Sequence, residues 1–569
     1  MRITKLCLTN FKSFKQRQVI NFSAVTLLFG PNSVGKSSII LALFYLNHIL
    51  TKGQCNPIQL EGQGGKAIGG FRNLVNGRDL SKSIVIEVEY INDGVGSEYV
   101  DSGYNPDEMP DGPWDLDPFL SLRLADRVNV KLTVSWSVLR NTAYIASVEI
   151  GLDGIELLEA VSDISMRGAI ISRINYLHPC LEPAFLVKRQ TYSNNYLYST
   201  AGIDEEDYDE LFPIGGCASF FHEQILLEDD YSKIPLHKDA VDTPEHLGMR
   251  HTPIAFGSIA GALPVQDKLL DISRDFRDKF TRARFSAILS NMLVAPIDDL
   301  SAILRKSLCI GPIRIIPSEQ FQPNPYPSQG DWHDGRAAWD ILAQGNSKLL
   351  RDVSDWMSSA DKLNLGYGIS LKVEKRISEF KKADGTESFE QVDEKLSKAL
   401  RDGRDGKTGI DRFDRYVTEF GYEIWDEYNK IEVMPNAIGV GISQLLPLVV
   451  AGCRSGRGLI SIEQPELHVH PRIQVAIGDL LTQIDRDSTF LIETHSEHLI
   501  LRILKRIRQT TDGELPDGYI PVKPDDISIT YLEPSEDGVK ARRIAVDNDG
   551  DFQDRWPDGF FSERREEFL

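Results

Sequence analysis

The stretch Gly30-Pro31-Asn32-Ser33-Val34-Gly35-Lys36-Ser37 constrains this chain more than any other. It fits the pattern G-x-x-x-x-G-K-[ST]. The apolar run Val25-Thr26-Leu27-Leu28-Phe29 precedes it, and Ser37-Ser38-Ile39-Ile40-Leu41 opens a helix after it. A strand, a glycine-rich turn and a helix in that order surround one anion with backbone N–H groups and the positive end of the helix. Gly30 and Gly35 let the backbone turn inward, Lys36 reaches the outer phosphates, and the Ser37 hydroxyl is available to Mg²⁺. The expected phosphate-binding set is therefore Asn32, Ser33, Gly35, Lys36, Ser37 and Ser38.

A loop of this kind needs a sheet around it, and the chain supplies one in two separated parts. Ile84–Tyr90, Val128–Val138 and Tyr144–Ile150 alternate and are rich in β-branched residues, so they predict an antiparallel sheet flanking the first helix. From about 155 to 430 the periodicity reads as mostly helical, interrupted by the acidic loop Asp204-Glu205-Glu206-Asp207 and by prolines between Pro317 and Pro327. No heptad run is sustained there, which excludes a long coiled-coil arm. The mixed charges of Lys398–Lys407 read as a solvated loop. Beyond 430 strand and helix alternate again: Gly458–Glu463, Pro471–Ile484, Thr489–Thr494 and His498–Arg508. The expected fold is α/β, a P-loop head split by a largely helical insertion. Its parts are 1–154, an insertion at 155–430 with a rejoining strand near 309–316, and 431–569.

Three further motifs belong with the loop. Leu459-Ile460-Ser461-Ile462-Glu463 is an apolar strand ending in a carboxylate, and it looks like a Walker B strand whose Glu463 holds Mg²⁺ together with Ser37. Gln464 follows, and Glu466 stands two residues later; a glutamine can orient a water but cannot take its proton. Glu466 is thus either a substitute base or a solvated carboxylate at a strand end. Thr489-Phe490-Leu491-Ile492-Glu493-Thr494-His495-Ser496 ends a second apolar strand in polar residues, with His495 where a γ-phosphate switch would stand. Gly439-Val440-Gly441-Ile442-Ser443-Gln444 opens an apolar helix, and its small residues let Ser443, Gln444 and the helix N–H groups approach a phosphate. His468 and His470 form an H-x-H pair without Cys or carboxylate partners at ligand spacing, so they read as part of a loop.

Taken together, NFKSF at 10–14, the phosphate loop, GPIR at 311–314, GVGISQLLP at 439–447, IEQPELHVHP at 462–471, ETHSEH at 493–498 and WPDGFF at 556–561 resemble bacterial AAA/ABC-like ATPases related to RecF-like, OLD-type and SMC heads. The resemblance implies ATP and Mg²⁺ as ligands and a homodimer or higher oligomer with ATP at its interface, Ser443 of one copy facing the loop of another. In that class a carboxylate normally follows the Walker B acid, so Gln464 implies slow hydrolysis. Ala437 stands where relatives commonly have Asp. Septu-type and retron-associated antiviral systems contain ATPases of this group beside a separately encoded nuclease, which implies such a nuclease or effector as partner. A RecF-like repair ATPase that binds DNA directly is the alternative, and a transport ATPase lacks any membrane-coupling signal.

Charge and cysteine usage set the surroundings. The net charge of −21 argues against a broad phosphate-binding face, so any nucleic acid contact is local or indirect. Cysteines 7, 55, 180, 217, 309 and 453 form no C-x-x-C pair and read as reduced, structural thiols. With no signal-like amino terminus and no run of eighteen apolar residues, a cytoplasmic protein without membrane contact is expected. Asp547-Asn548-Asp549-Gly550-Asp551 reads as a turn, because about seventy residues after His498 leave no room for an appended nuclease domain.

Overall fold

The computed structural model describes residues 1–94, 96–99, 125–175, 178, 249–273, 279–318, 320–374, 419–454, 456, 458–484 and 488–556. The acidic loop at 204–207, the charged stretch 398–407 and the tail residues 557–561 lie outside them.

The amino-terminal strands are β1 (Arg2–Thr9), β2 (Gln18–Asn21) and β3 (Val25–Phe29), after which helix α1 (Lys36–Lys52) begins. A short hairpin follows, β4 (Gln59–Leu60) and β5 (Lys66–Ala67). Next come β6 (Ile84–Ile91), β7 (Arg127–Ser137), β8 (Thr142–Leu152), β9 (Ile155–Ser162), β10 (Gly168–Asn175), β11 (Met249–Ala260) and β12 (Leu263–Pro264). Helix α2 (Lys279–Arg305) leads into β13 (Leu308–Ile310), α3 (Arg336–Ala343) and α4 (Ser347–Ser358). A small sheet of β14 (Tyr367–Glu374), β15 (Glu419–Asp426) and β16 (Ile431–Val433) precedes α5 (Val440–Cys453). The chain then runs through β17 (Leu459–Glu463), α6 (Pro471–Gln483), β18 (Thr489–Glu493), α7 (Glu497–Asp512), β19 (Ile527–Ser535) and β20 (Gly538–Ile544).

Two sheets organise these elements. The central one has the order β13-β17-β18-β3-β19-β20, parallel except for the antiparallel edge strand β20. Every residue of β3, β17 and β18 is buried, as a parallel sheet covered on both faces requires. Alternation then sorts their side chains between two cores. Leu28, Leu459 and Leu491 face α1, α2 and the antiparallel sheet, whereas Leu27, Phe29, Ile460, Ile462, Phe490 and Ile492 face α3 to α7. The second sheet is antiparallel, in the order β12-β11-β10-β9-β8-β7-β6-β1-β2.

The boundary expected at residue 155 falls inside this second sheet. Among the described residues, 155–175 and 249–264 are strands that extend it, and helix dominates only from 279 to 358. The helical reading of this stretch is corrected to that extent, and the reason is local. Register shifts at Ile150/Gly151 and again at Ile171/Arg173 interrupt the two-residue alternation, and Leu157 and Leu158 are both fully buried. The rejoining strand expected near 309–316 is β13, shorter than expected and starting at Leu308.

Helix α2 also bears on the membrane expectation. Its Phe285–Arg305 segment is long and apolar enough to span a bilayer, yet 94% of its most apolar eighteen-residue window is buried within this fold. Trp556, the first residue of the tail motif, packs edge-on against Phe29, Tyr531 and Phe552, which ties the tail to the strand that feeds the phosphate loop. The aspartates at 547–551 do form a turn. Asp547 accepts from the Asp549 and Asp551 backbone N–H groups, and Arg508 of α7 holds Asp551.

Candidate nucleotide site

The loop between β3 and α1 has the backbone that its glycines predict. Gly30 has φ 141° and Gly35 φ 121°. A Cβ at Gly30 would lie 2.4 Å from the Leu532 carbonyl oxygen, and one at Gly35 would lie 2.4 Å from Ser13 Oγ. Ser33 is also left-handed, at φ 63°. Helix α1 starts without a side-chain cap and without an acidic residue in its first turn, so its leading N–H groups and its positive end are left to an anion. Asn32 and Ser33 are exposed at the loop tip, and Ser38 N–H closes onto Gly35 O.

Lys36 is 3% exposed, and its Nζ donates to Gly30 O and Pro31 O, both at 3.0 Å. Burial lowers its pKa, and Glu493 and Glu466 act against that shift. A cation buried among carbonyl groups is poised for a stronger acceptor, and phosphate oxygens supply one.

Strand register brings one carboxylate to this lysine and a second beside the first. Glu463 and Glu493 are paired residues at the ends of β17 and β18. Ser37 Oγ donates to Glu493 Oε2 at 2.7 Å, and Glu493 Oε1 lies 3.9 Å from Lys36 Nζ. The carboxylate hydrogen-bonded to Ser37 is thus Glu493, and Glu463, expected from the sequence to hold Mg²⁺ with Ser37, is its paired neighbour. Glu463 stands beside it with Oε1 buried and without a hydrogen-bond partner. Its pKa is pushed up to about 7, first by burial and then by the neighbouring Glu493. A hydroxyl and two carboxylates, one of them with an unsatisfied oxygen, form the hard donor set that suits Mg²⁺.

Gln464 follows with a left-handed backbone, φ 46°, and its N–H donates to Glu493 O at 2.8 Å. Glu466 is committed to the neighbouring turn. Its Oε1 accepts from His495 N–H at 2.7 Å and its Oε2 from Thr494 Oγ1 at 2.9 Å. Burial raises its pKa while those bonds oppose the rise. Both oxygens therefore clamp the β18–α7 turn, where Ser496 caps α7 through Leu499 N–H. His495 is half-buried on that turn. Its pKa is lowered by burial and by Lys36 of the phosphate loop.

The start of α5 is turned inward. Ser443 is fully buried, with Oγ 3.4 Å from Pro435 O, and no hydrogen bond joins it to the phosphate loop among the described residues. Gln444 uses both ends of its amide on one residue: Oε1 accepts from Arg314 N–H at 3.2 Å and Nε2 donates to Arg314 O at 2.7 Å. The Arg314 guanidinium, 3% exposed, donates to Gln444 O at 3.1 Å and to Glu463 O at 2.9 Å. One buried cation therefore joins the helix start to the end of β17. The residues exposed there are Gly439 and Val440. His470 caps α6 by accepting from Arg472 N–H, and His468 O lies where a Cβ on Gly441 would collide with it.

Sequence reasoning located the loop, Glu463, Glu466 and His495, but it missed the roles of Glu493 and Arg314. Glu493 had a signal, since it ends an apolar strand as Glu463 does. Arg314 lay inside the quoted GPIR with nothing local to mark it as buried.

Residues 1–117 match a family model described as "AAA ATPase domain", and residues 315–502 match one described as "AAA domain, putative AbiEii toxin, Type IV TA system". No curated protein matches the chain. Among solved structures it is similar to an SMC head bound to the C-winged helix domain of ScpA, with 11% identity, TM-score 0.39, and 96% of this chain and 99% of that chain covered. It is also similar to the SMC head domain from Thermotoga maritima, with 10% identity, TM-score 0.34, and coverage of 96% and 100%. A third similarity is to an Smc head with an extended coiled coil bound to the C-terminal domain of ScpA, derived from Pyrococcus furiosus, with 12% identity, TM-score 0.36, and coverage of 96% of each chain. The two family matches divide the site between them: the first contains the phosphate loop with Lys36 and Ser37, and the second contains Glu463, Glu466, Glu493 and His495.

Proposed function

We propose that this chain is an ATP-binding, slowly hydrolysing ABC-type ATPase that gates a separately encoded nuclease or effector in an antiviral defence complex in the cytoplasm. The observation that carries the ATP part is the convergence of Lys36, Ser37, Glu493 and Glu463 from three parallel strand ends onto one helix N-terminus. Lys36 and the α1 N–H groups bind the phosphates, and Ser37 with the two carboxylates holds the Mg²⁺, whose role is to neutralise charge on the outer phosphates. His495, on the turn after β18 and within the field of Lys36, would face the γ-phosphate.

Slow turnover follows from the disposition of the remaining groups. Gln464 has no carboxylate to take a proton, and both oxygens of Glu466 are engaged by Thr494 and His495. Introducing Gln464→Glu is expected to raise steady-state ATP turnover several-fold, because it places a free carboxylate after the Mg²⁺-binding strand. A wild-type rate already above about 1 s⁻¹, the low end of usual enzyme rates, would refute the proposal that Gln464 limits hydrolysis.

A second copy completes the site in this reading. Val440 is 53% exposed at the start of α5, and Ile313, next to Arg314, is 79% exposed; these apolar side chains are available to a partner surface. The net charge of −21 supports the division of labour, since a nuclease gripping many phosphates relies on a basic face. The purified chain is expected to leave plasmid DNA intact with Mg²⁺ or Mn²⁺, and cleavage is expected only after co-purification with the products of adjacent genes. Cleavage by the isolated chain that survives loss of Lys36 and Glu463 would overturn the partner assignment.

A further inference from the structure

Beneath the paired carboxylates lies a second group of donors with different chemistry. Cys309 Sγ, a ring nitrogen of His333 and a carboxylate oxygen of Glu463 all lie within 4.8 Å of one another. Three elements deliver them. Cys309 sits in β13, in register with Ser461 of β17, and this places it level with the middle of the strand that ends two residues later in Glu463. His333 follows the 3-10 turn Gln329–Trp332, and its carbonyl accepts from Gly311 N–H at 2.7 Å, which ties it to the end of β13. Its ring fits between two glycines: a Cβ at Gly311 would lie 2.8 Å from the imidazole Cε1, and one at Gly64 would lie 3.2 Å from Nδ1.

An independent observation points to a ligand at this spot. Gln63, in the turn between β4 and β5, is 1% exposed; its side chain hydrogen-bonds the Cys309 thiol, and its amide finds no other hydrogen-bond partner. Glu463, the carboxylate of the cluster, also keeps its Oε1 buried without a hydrogen-bond partner. Lys66 of β5 is the nearby cation, and its charge acts on Glu463, Cys309 and His333.

We propose that Cys309, His333 and Glu463 form a binding site for a divalent transition metal ion of the Zn²⁺ type, with the Gln63 amide oxygen or a water as fourth ligand. Thiolate, imidazole and carboxylate together suit Zn²⁺ or Co²⁺, whereas Mg²⁺ takes oxygen donors alone. Ligand atoms about 3.3–3.8 Å apart surround a tetrahedral Zn²⁺, so a closure of roughly 1 Å converts the present triad into a binding geometry. Binding replaces the thiol proton, which leaves to solvent, and the thiolate and carboxylate charges balance the ion. Lys66 repels the ion and tunes its affinity downward. Glu463 belongs to both sites, so an ion held here withdraws that carboxylate from the nucleotide-bound Mg²⁺. This antagonism rests on the nucleotide reading; the metal site itself does not.

The test uses the full chain, tag-free, reduced and stripped with a chelator, then titrated with Co²⁺. One equivalent is expected to bind with a thiolate-to-cobalt charge-transfer band that Zn²⁺ abolishes by displacement. Cys309→Ser is expected to remove the band, His333→Gln to weaken Co²⁺ binding at least about 10-fold, and Cys453→Ser to leave both unchanged. Thermal unfolding of the metal-free variants shows that each is folded. If Cys309→Ser does not fold, His333→Gln carries the test, because its thiol remains. Absence of the band in wild type, or its persistence in Cys309→Ser, overturns the site, and sub-stoichiometric binding insensitive to both variants marks adventitious metal and overturns it too. Mg²⁺·ATP affinity is measured in the same stripped protein and again with Zn²⁺ bound. An approximately 10-fold loss with Zn²⁺ supports the shared carboxylate. Co²⁺ binding without any ATP binding leaves the metal site standing and removes the nucleotide reading, and the reverse result does the opposite.

Discussion

Lys36→Ala is expected to weaken ATP binding by two orders of magnitude or more. In the structure Nζ is almost fully buried and held by two loop carbonyls, so it is already desolvated and already aimed into the turn that wraps the phosphates. Charge-assisted hydrogen bonds contribute roughly 1.5–3 kcal/mol each. A lysine bridging two phosphates therefore accounts for about 3–6 kcal/mol, which at 1.4 kcal/mol per decade is on the order of 100- to 10,000-fold in Kd. Calorimetry reads this directly. Stability without nucleotide separates loss of binding from loss of fold. Alanine also leaves two loop carbonyls without their donor and Glu493 without its cation, so the ligand-free melting temperature is measured beside the ATP-dependent increase, and it is that increase that should disappear. Micromolar ATP binding retained in a folded Lys36→Ala protein would mean that the loop does not bind phosphate.

This contrast between the loop and its surroundings also shows what a sequence can reveal. Every part of the loop is local: Gly30, Gly35, Lys36 and Ser37 act through the backbone they occupy and the helix they open, so eight consecutive residues were enough. The strands β17 and β18 were legible for a related reason, since a five-residue segment with three large apolar residues and a terminal carboxylate has few alternatives in a sheet covered on both faces. The choice between Glu463 and Glu493 was of another kind. It depends on which strand lies next to β3, and β18 takes that place while β17 is one strand further out. The chain order of the motifs carries no trace of that arrangement. The antiparallel strands β9 and β10 were lost to bulges that break their alternation. Gln63, His333 and Cys309 come from three distant segments, and none has a neighbour in sequence that marks it.

Arg314 is the strongest case of a residue known only through tertiary structure, and its replacement should have the second largest effect. Its guanidinium reaches two backbone carbonyls, of Gln444 and Glu463, while its own backbone receives both ends of the Gln444 amide. Burial lowers its pKa to about 10, with Glu466 and Glu463 acting in the opposite direction, so the cation and the buried carboxylates stabilise one another. Arg314→Met keeps most of the volume and removes the charge. Two buried carbonyls then lose their donor, at about 1–3 kcal/mol each, and Glu463 and Glu466 lose a compensating cation. A loss of about 3–5 kcal/mol is expected, read as a lower denaturant midpoint. Arg314→Lys should recover only part of this, because an ammonium on a flexible stem cannot span both carbonyls with the fixed fork of a guanidinium. Gln444→Ala removes the reciprocal amide, so the double variant should lose less than the sum of the single ones, with a coupling of about 0.5–3 kcal/mol. Since the same contacts hold the start of α5 against the end of β17, Arg314→Met should also weaken Mg²⁺·ATP binding even in conditions where the protein remains folded. A variant with an unchanged midpoint and unchanged nucleotide affinity would show that the guanidinium bonds neither stabilise the head nor position Glu463.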